Sequence, residues 1–231
     1  MLEQLLLFEK DLFFLLNGSD SVFLDHFLWL YSYKWTWIPF YACFLFVFIY
    51  KKNWKEILFV VLAVTLVIVL CDQIASGFFK PVFQRFRPSH HPDFKEQVDL
   101  VFGYKGGRYG FISSHAANAF GFATFVSLLF RNRFLMITMM LFAFINGYSR
   151  IYLGVHFISD VVVGSLVGIL VGYVVYKVYN IARYYFFAIR KVELKKSIYS
   201  LKQTYWLCAA YYIWVAIFML LNIQLVNLLR S

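Results

Sequence analysis

The chain has 231 residues, 62% of them hydrophobic and 22% aromatic, and a formal net charge of +10. A water-soluble globular domain cannot hide that much apolar surface, so the bilayer is its solvent and the expected fold class is all-α, a polytopic transmembrane helical bundle. The excess of positive charge follows from membrane topology, as set out below, and gives no support for a nucleic-acid partner.

In chain order, the opening MLEQLLLFEKDLFFLLNG sets Leu2, Leu5, Leu6, Leu12 and Phe13 against Glu3, Glu9, Lys10 and Asp11, with Asn17 and Gly18 as a stop. It lacks the basic start, long apolar run and small-residue cleavage site of a signal peptide, so 1–18 reads as an amphipathic helix lying in the membrane interface. Apolar runs long enough to cross roughly 30 Å of hydrocarbon as helices then recur at 24–50, 56–79, 112–130, 134–149, 157–182 and 206–229, about six spans in all. The fourth is short, and only Arg131, Asn132 and Arg133 separate it from the third, so these two must form a tight helical hairpin. The longest hydrophilic insertion is 88–111.

Charge sets the orientation. The loops at 51–55, 131–133 and 183–205, with the adjoining helix end, hold twelve Lys and Arg against only Glu56 and Glu193. The opposite side holds ten basic and ten acidic residues, so the positive-inside rule places the first side in the cytoplasm and the second outside the cell or in a periplasm. Cys43, Cys71 and Cys208 lie in three different apolar spans without metal-ligand spacing and read as packing residues.

Three polar clusters meet the membrane at the outer boundary. In KPVFQRFRP, Lys80 and Arg87 are seven residues apart, two helical turns, with Pro81 suited to a first turn and Pro88 to a stop; they are expected to share a face and hold one anion, while Arg85 lies off that face as a lipid-headgroup anchor. In ISSHA, Ser113 is a natural N-cap and His115 falls in the first turn of a helix whose free N–H groups point outward, an arrangement that binds anions. In SRIYLGVHFISD, His156 and Asp160 are four apart, so the carboxylate can fix the imidazole's tautomer, and Arg150 supplies a planar fork for phosphate oxygens. Three cations, helix-start N–H groups, two imidazoles and an orienting carboxylate are what phosphoryl transfer needs without a metal. His90, His91, Asp93, Glu96 and Asp99 form only a loose polar loop, which could equally be a mobile lid, so no metal site and no cofactor are expected, and GYKGGRYG at 103–110 lacks the ending of a P-loop.

These residues resemble type 2 phosphatidic acid phosphatases, the PAP2 superfamily's membrane branch, over about 56–180. Lys80 to Pro88 matches the first signature and Ser149 to Asp160 the third; the second, usually Pro-Ser-Gly-His, stands here as Ile112-Ser113-Ser114-His115, with a side chain at Ser114 where glycine is usual. The resemblance implies that His156, oriented by Asp160, attacks phosphorus to form a phosphohistidine. His115 then protonates the leaving oxygen and activates water, and Lys80, Arg87, Arg150, the Ser113 hydroxyl and the Ser114 N–H stabilise the phosphoryl oxygens. On this reading 19–182 is the membrane-embedded catalytic bundle, 183–205 a basic cytoplasmic loop and 206–231 a C-terminal transmembrane helix. The expected activity is a metal-independent lipid phosphate phosphatase of the plasma, or bacterial inner, membrane with its site on the outer face. Its substrate would be undecaprenyl diphosphate, phosphatidylglycerol phosphate, phosphatidic acid or a lipid A phosphate, with no protein partner required. A phosphotransferase using the same intermediate is the alternative; an anion transporter is a remote one, because broken spans and repeats are not evident.

Overall fold

The computed structural model describes residues 2–186 and 196–230, so the middle of the predicted basic loop, 187–195, lies outside the described residues. Every regular element among them is helical. Helix α1 (Leu2–Leu16) ends where Asn17 Nδ2 donates to the carbonyls of Asp99 and Tyr152, both at 2.9 Å, and Gly18 turns the chain at φ +66°. A side chain at Gly18 would collide with Asp99.

The expected first span is two helices, α2 (Val22–Ser32) and α3 (Ile38–Ile49), separated by an extended Tyr33 and a 3₁₀ turn at Lys34–Trp37. Pro39 explains the break, since a continuous helix would drive its ring into the carbonyl four residues earlier. Side chains within the break satisfy the carbonyls it frees: Thr36 Oγ1 donates to Leu30 O at 2.7 Å and Trp37 Nε1 to Tyr31 O at 2.8 Å.

Asn53 caps α4 (Trp54–Asp72), which runs on through a π-helical stretch, Gln73–Phe79, and a closing turn, Lys80–Phe83, as one apolar rod of 30 residues. After it come α5 (Ser114–Phe130), α6 (Arg133–Tyr152), α7 (Ile158–Phe186) and α8 (Leu201–Arg230). The α4 rod, α6, α7 and α8 are long and apolar enough to cross a membrane, whereas Lys34–Ile49 and Ser114–Phe130 are shorter apolar helices. The hairpin of α5 and α6 is as expected, but α6 is 20 residues long because it continues through Ser149 and Arg150, both buried.

Insertion 88–111 is not a loose loop. It folds as three short 3₁₀ turns with Phe94, Val98 and Val101 buried, and Phe94 packs edge-on against Phe14 and Phe157.

What positions the site is the contact between α5 and α7. Gly164, Gly168 and Gly172 recur every four residues along one stripe of α7. An added Cβ would lie 2.7 Å from Ser113 O, 2.3 Å from Ala117 O and 2.4 Å from Gly121 O respectively. Backbones this close are how membrane helices associate without a hydrophobic drive between them. One turn beyond that stripe the Ser113 N–H donates to Asp160 O at 2.9 Å, locking the start of α5 to the start of α7.

Candidate active site

Asp160 lies in the first turn of α7 and is fully buried. Its Oδ2 accepts the Phe157 N–H at 3.0 Å and sits 3.3 Å from His156 Nδ1. The other imidazole nitrogen, Nε2, faces Arg87 Nη1 at 3.1 Å. A guanidinium only donates, so Nε2 must be the acceptor, and the proton of the neutral ring is on Nδ1, toward Asp160. The lone pair a nucleophile needs is thus on Nε2, on the side of the cations. Burial first, and then Arg87, Arg150, Lys80 and His115, hold His156 well below the usual imidazole range, so the ring is neutral at ordinary pH.

Lys80 and Arg87 both reach this place, but not along one helix face. The helix stops at Phe83, Gln84 takes a left-handed turn at φ +46°, and the chain returns extended: Phe86 bridges Tyr109, and the Arg87 N–H donates to Arg108 O at 3.1 Å. Arg87 is then fixed by its own donors, Nε to Tyr109 O and Nη1 to Val155 O, each at 3.1 Å. Burial, then Arg150, pulls its guanidinium down to about 10, still charged at neutral pH.

Lys80 Nζ donates to Ser114 Oγ at 2.7 Å and to Ser76 Oγ at 3.1 Å. The serine that replaces the family's glycine therefore holds the lysine. Ser113 is fully buried, its hydroxyl turned to cap α5 by accepting the Ala116 N–H at 3.4 Å, which leaves the N–H groups of Ser114 and His115 among those that a helix start cannot pair internally. Arg150 is 2% exposed; it donates to Ser32 Oγ and, at 3.4 Å, to Tyr104 OH, and its Nε is buried without a partner.

Among the described residues, Lys80, Arg87 and Arg150 have no carboxylate within ion-pair distance. Like charges gathered and desolvated in this way are costly unless an anion joins them. Half-buried His115 opens, with Ser114, into a cavity of about 680 Å³ between α3, α4, α5 and α6. That cavity runs from Asp72 to Val61 along α4, about 16 Å at 1.5 Å per residue, and its far walls are apolar, Phe44, Phe48 and Phe122 among them.

Arg85 is not an exposed anchor. Its side chain is 7% exposed, donates to Asp160 Oδ1 at 2.9 Å and pairs with Glu9. Sequence reading also missed Ser76, although its spacing of four from Lys80 puts both on one helix face, and Glu9, which shares a face of α1 with buried Phe13. An acid on the apolar side of an amphipathic helix was the available signal. Nothing in the sequence marks Ser32 or Tyr104.

Residues 57–184 match the family described as the PAP2 superfamily. A protein of Porphyromonas gingivalis named lipid A 4'-phosphatase is 52% identical over 182 residues, covering 79% of this chain and 77% of the relative. One of Bacteroides thetaiotaomicron with the same name is 39% identical over 177 residues, covering 76% and 79%. The crystal structure of Aquifex aeolicus LpxE superposes with a TM-score of 0.55 at 32% identity, covering 74% of this chain and 95% of that one. The signature residues, the helical bundle and these likenesses lead to one conclusion: the chain belongs to the PAP2 superfamily and is a membrane lipid phosphatase of that type.

Proposed function

We propose that the protein removes the phosphate of a lipid A-type glycolipid through a phosphohistidine at His156. The observation that carries this reading is the set of three cations, buried Arg87 and Arg150 and half-buried Lys80, with no carboxylate within ion-pair distance among the described residues, gathered around His156 and His115 at the head of an apolar cavity. The cations take the phosphoryl oxygens, and the cavity takes hydrocarbon that stays at membrane depth. His156 Nε2 attacks phosphorus, Asp160 supports the imidazolium, and His115 delivers a proton to the leaving sugar oxygen. His115 then takes a proton from water as that water displaces phosphate from His156.

Two lines support a sugar-bearing lipid over a polyprenyl diphosphate. The relatives at 52% and 39% identity both carry the name lipid A 4'-phosphatase. The cavity near His115 is also lined by Asp72, Asn118 and Asn146, and the buried Asn118 Oδ1 has no partner in the chain. Hydrogen-bonding groups just beyond the phosphate suit sugar hydroxyls and amides; a polyprenyl chain has nothing to offer them. The excess of Lys and Arg in the loops of the opposite side supports a site on the outer face of the inner membrane.

The test is phosphate release by purified protein from lipid A, phosphatidic acid, phosphatidylglycerol phosphate and undecaprenyl diphosphate, with the parent and Asn118→Leu compared. Lipid A should be the best substrate of the parent, and the variant should lose about tenfold or more on lipid A only, as expected for a lost polar contact. Equal or better turnover of the polyprenyl substrate by the parent would refute the assignment.

A further inference from the structure

The side of α1 that carries Phe13 and Glu9 is turned into the protein: Phe13 is fully buried and packs edge-on against Phe157, and Glu9 is 7% exposed. The Glu9 carboxylate is engaged three times. Oε2 accepts the Ser159 backbone N–H at 2.8 Å, and Oε1 accepts the Ser159 hydroxyl at 2.8 Å and pairs with Arg85 Nη2. Because Ser159 lies in the first turn of α7, Glu9 caps that helix from another element, placing negative charge where the helix start favours it. Arg85 reaches onward through Nη1 to Ser159 Oγ at 2.6 Å and Asp160 Oδ1 at 2.9 Å, with its guanidinium 4.5 Å from the centre of the Phe157 ring. The result is a buried chain of alternating character: Glu9, Arg85, Asp160, His156.

We propose that Glu9 is a positioning residue for the reaction: acting through Arg85 and Ser159, it fixes Asp160 and sets how much of that carboxylate's charge is available to His156. The inference rests on His156 as nucleophile. Left alone, Arg85 would draw the Asp160 charge to itself and leave the imidazolium less supported; Glu9 neutralises Arg85 and frees Asp160 to face the ring. Arg87 and Lys80 from the end of the α4 rod and beyond, Arg150 from α6 and His115 from α5 also face His156, none of them negative, so the negative charge comes from Asp160, backed by Glu9. A helix outside the bundle thereby completes the catalytic charge chain.

Glu9→Gln keeps the shape and an oxygen for Ser159 but removes the charge. The expected result is a roughly three- to tenfold fall in kcat with KM held, and an acid limb of kcat/KM displaced downward by about half to one pH unit, because unneutralised Arg85 makes His156 harder to protonate. Arg85→Gln should displace the limb upward, and the double variant should return it toward the parent. The substrate's own titration is common to all four proteins, so the differences report on the enzyme. A merely structural prop would change yield or Tm without opposite displacements of the pH profile. If Glu9→Gln is not recovered folded, Arg85→Gln decides alone: an upward displacement supports the inference and an unmoved limb overturns it. Parental kcat and acid limb in folded Glu9→Gln also overturn it, while the functional reading stands. A parent that releases phosphate from no lipid overturns both.

Discussion

Asp160→Asn separates orientation of the proposed nucleophile, His156, from its presence. Asp160 uses both oxygens on donors: Oδ1 on Arg85 Nη1 at 2.9 Å, Oδ2 on the Phe157 N–H at 3.0 Å and, at 3.3 Å, on His156 Nδ1. An asparagine amide has one oxygen and one NH₂. With the oxygen kept on the charged Arg85, the NH₂ faces Nδ1, and the ring can accept from it only by moving its own proton to Nε2. That proton then points at Arg87 Nη1, 3.1 Å away, where two donors meet and the attacking lone pair is gone. Loss of the tautomer at an otherwise intact site of this kind removes about 10⁴ in kcat, about 5 kcal/mol of barrier. KM should change little because Lys80, Arg87 and Arg150 are untouched. The assay is steady-state phosphate release from lipid A in mixed micelles, with thermal unfolding in detergent to show that the variant is folded. A folded Asp160→Asn within tenfold of the parent would refute the orientation argument.

Other expectations follow from single contacts. Gly168→Val places a Cβ 2.3 Å from Ala117 O, so α5 and α7 must part; the cost is about 1–3 kcal/mol or more, and a Tm equal to the parent's would contradict the packing described. Because burial and the surrounding cations lower the His156 pKa, the neutral ring that the proposed attack requires persists below the usual value near 6.5, and kcat/KM should be lost only as pH falls further. Substituting Arg87, which lies second only to burial among the causes, should raise that limb; no movement relative to the parent would argue against His156 as the titrating group. Single cysteines in a background lacking the native three test sidedness: Lys95→Cys should react with an impermeant thiol reagent in whole cells and Lys202→Cys only after lysis, and the reverse pattern would move the site to the cytoplasmic face.

The part of the candidate site formed by His156, Asp160 and Ser113 could be read from spacing because it sits at helix starts, where sequence and geometry are tied closely. His156 and Asp160 bracket the start of α7, and Ser113 caps α5, as their residue types require. The spans were legible to within a few residues wherever hydropathy alone decides, as in α7 and α8. The break at Tyr33–Trp37 was not, although Pro39 announced it, since an unbroken apolar run masks a change of backbone direction. Lys80 and Arg87 meet as expected but for another reason, an extended return after Phe83 that no helical periodicity encodes. Arg85 and Glu9 were misjudged together. Each alone looks like an interfacial charge, and only the docking of α1 over Phe157 makes them partners.

The central claim is that the phosphoryl group passes through His156. It is tested most directly by mixing excess protein with lipid A carrying labelled phosphate, quenching within the first turnover in alkali, where phosphohistidine survives, and locating the label by peptide mass spectrometry. The account predicts label on His156 in the parent and none on any residue in His156→Ala. Full turnover by the parent without label on the protein, or label on another side chain, would contradict it.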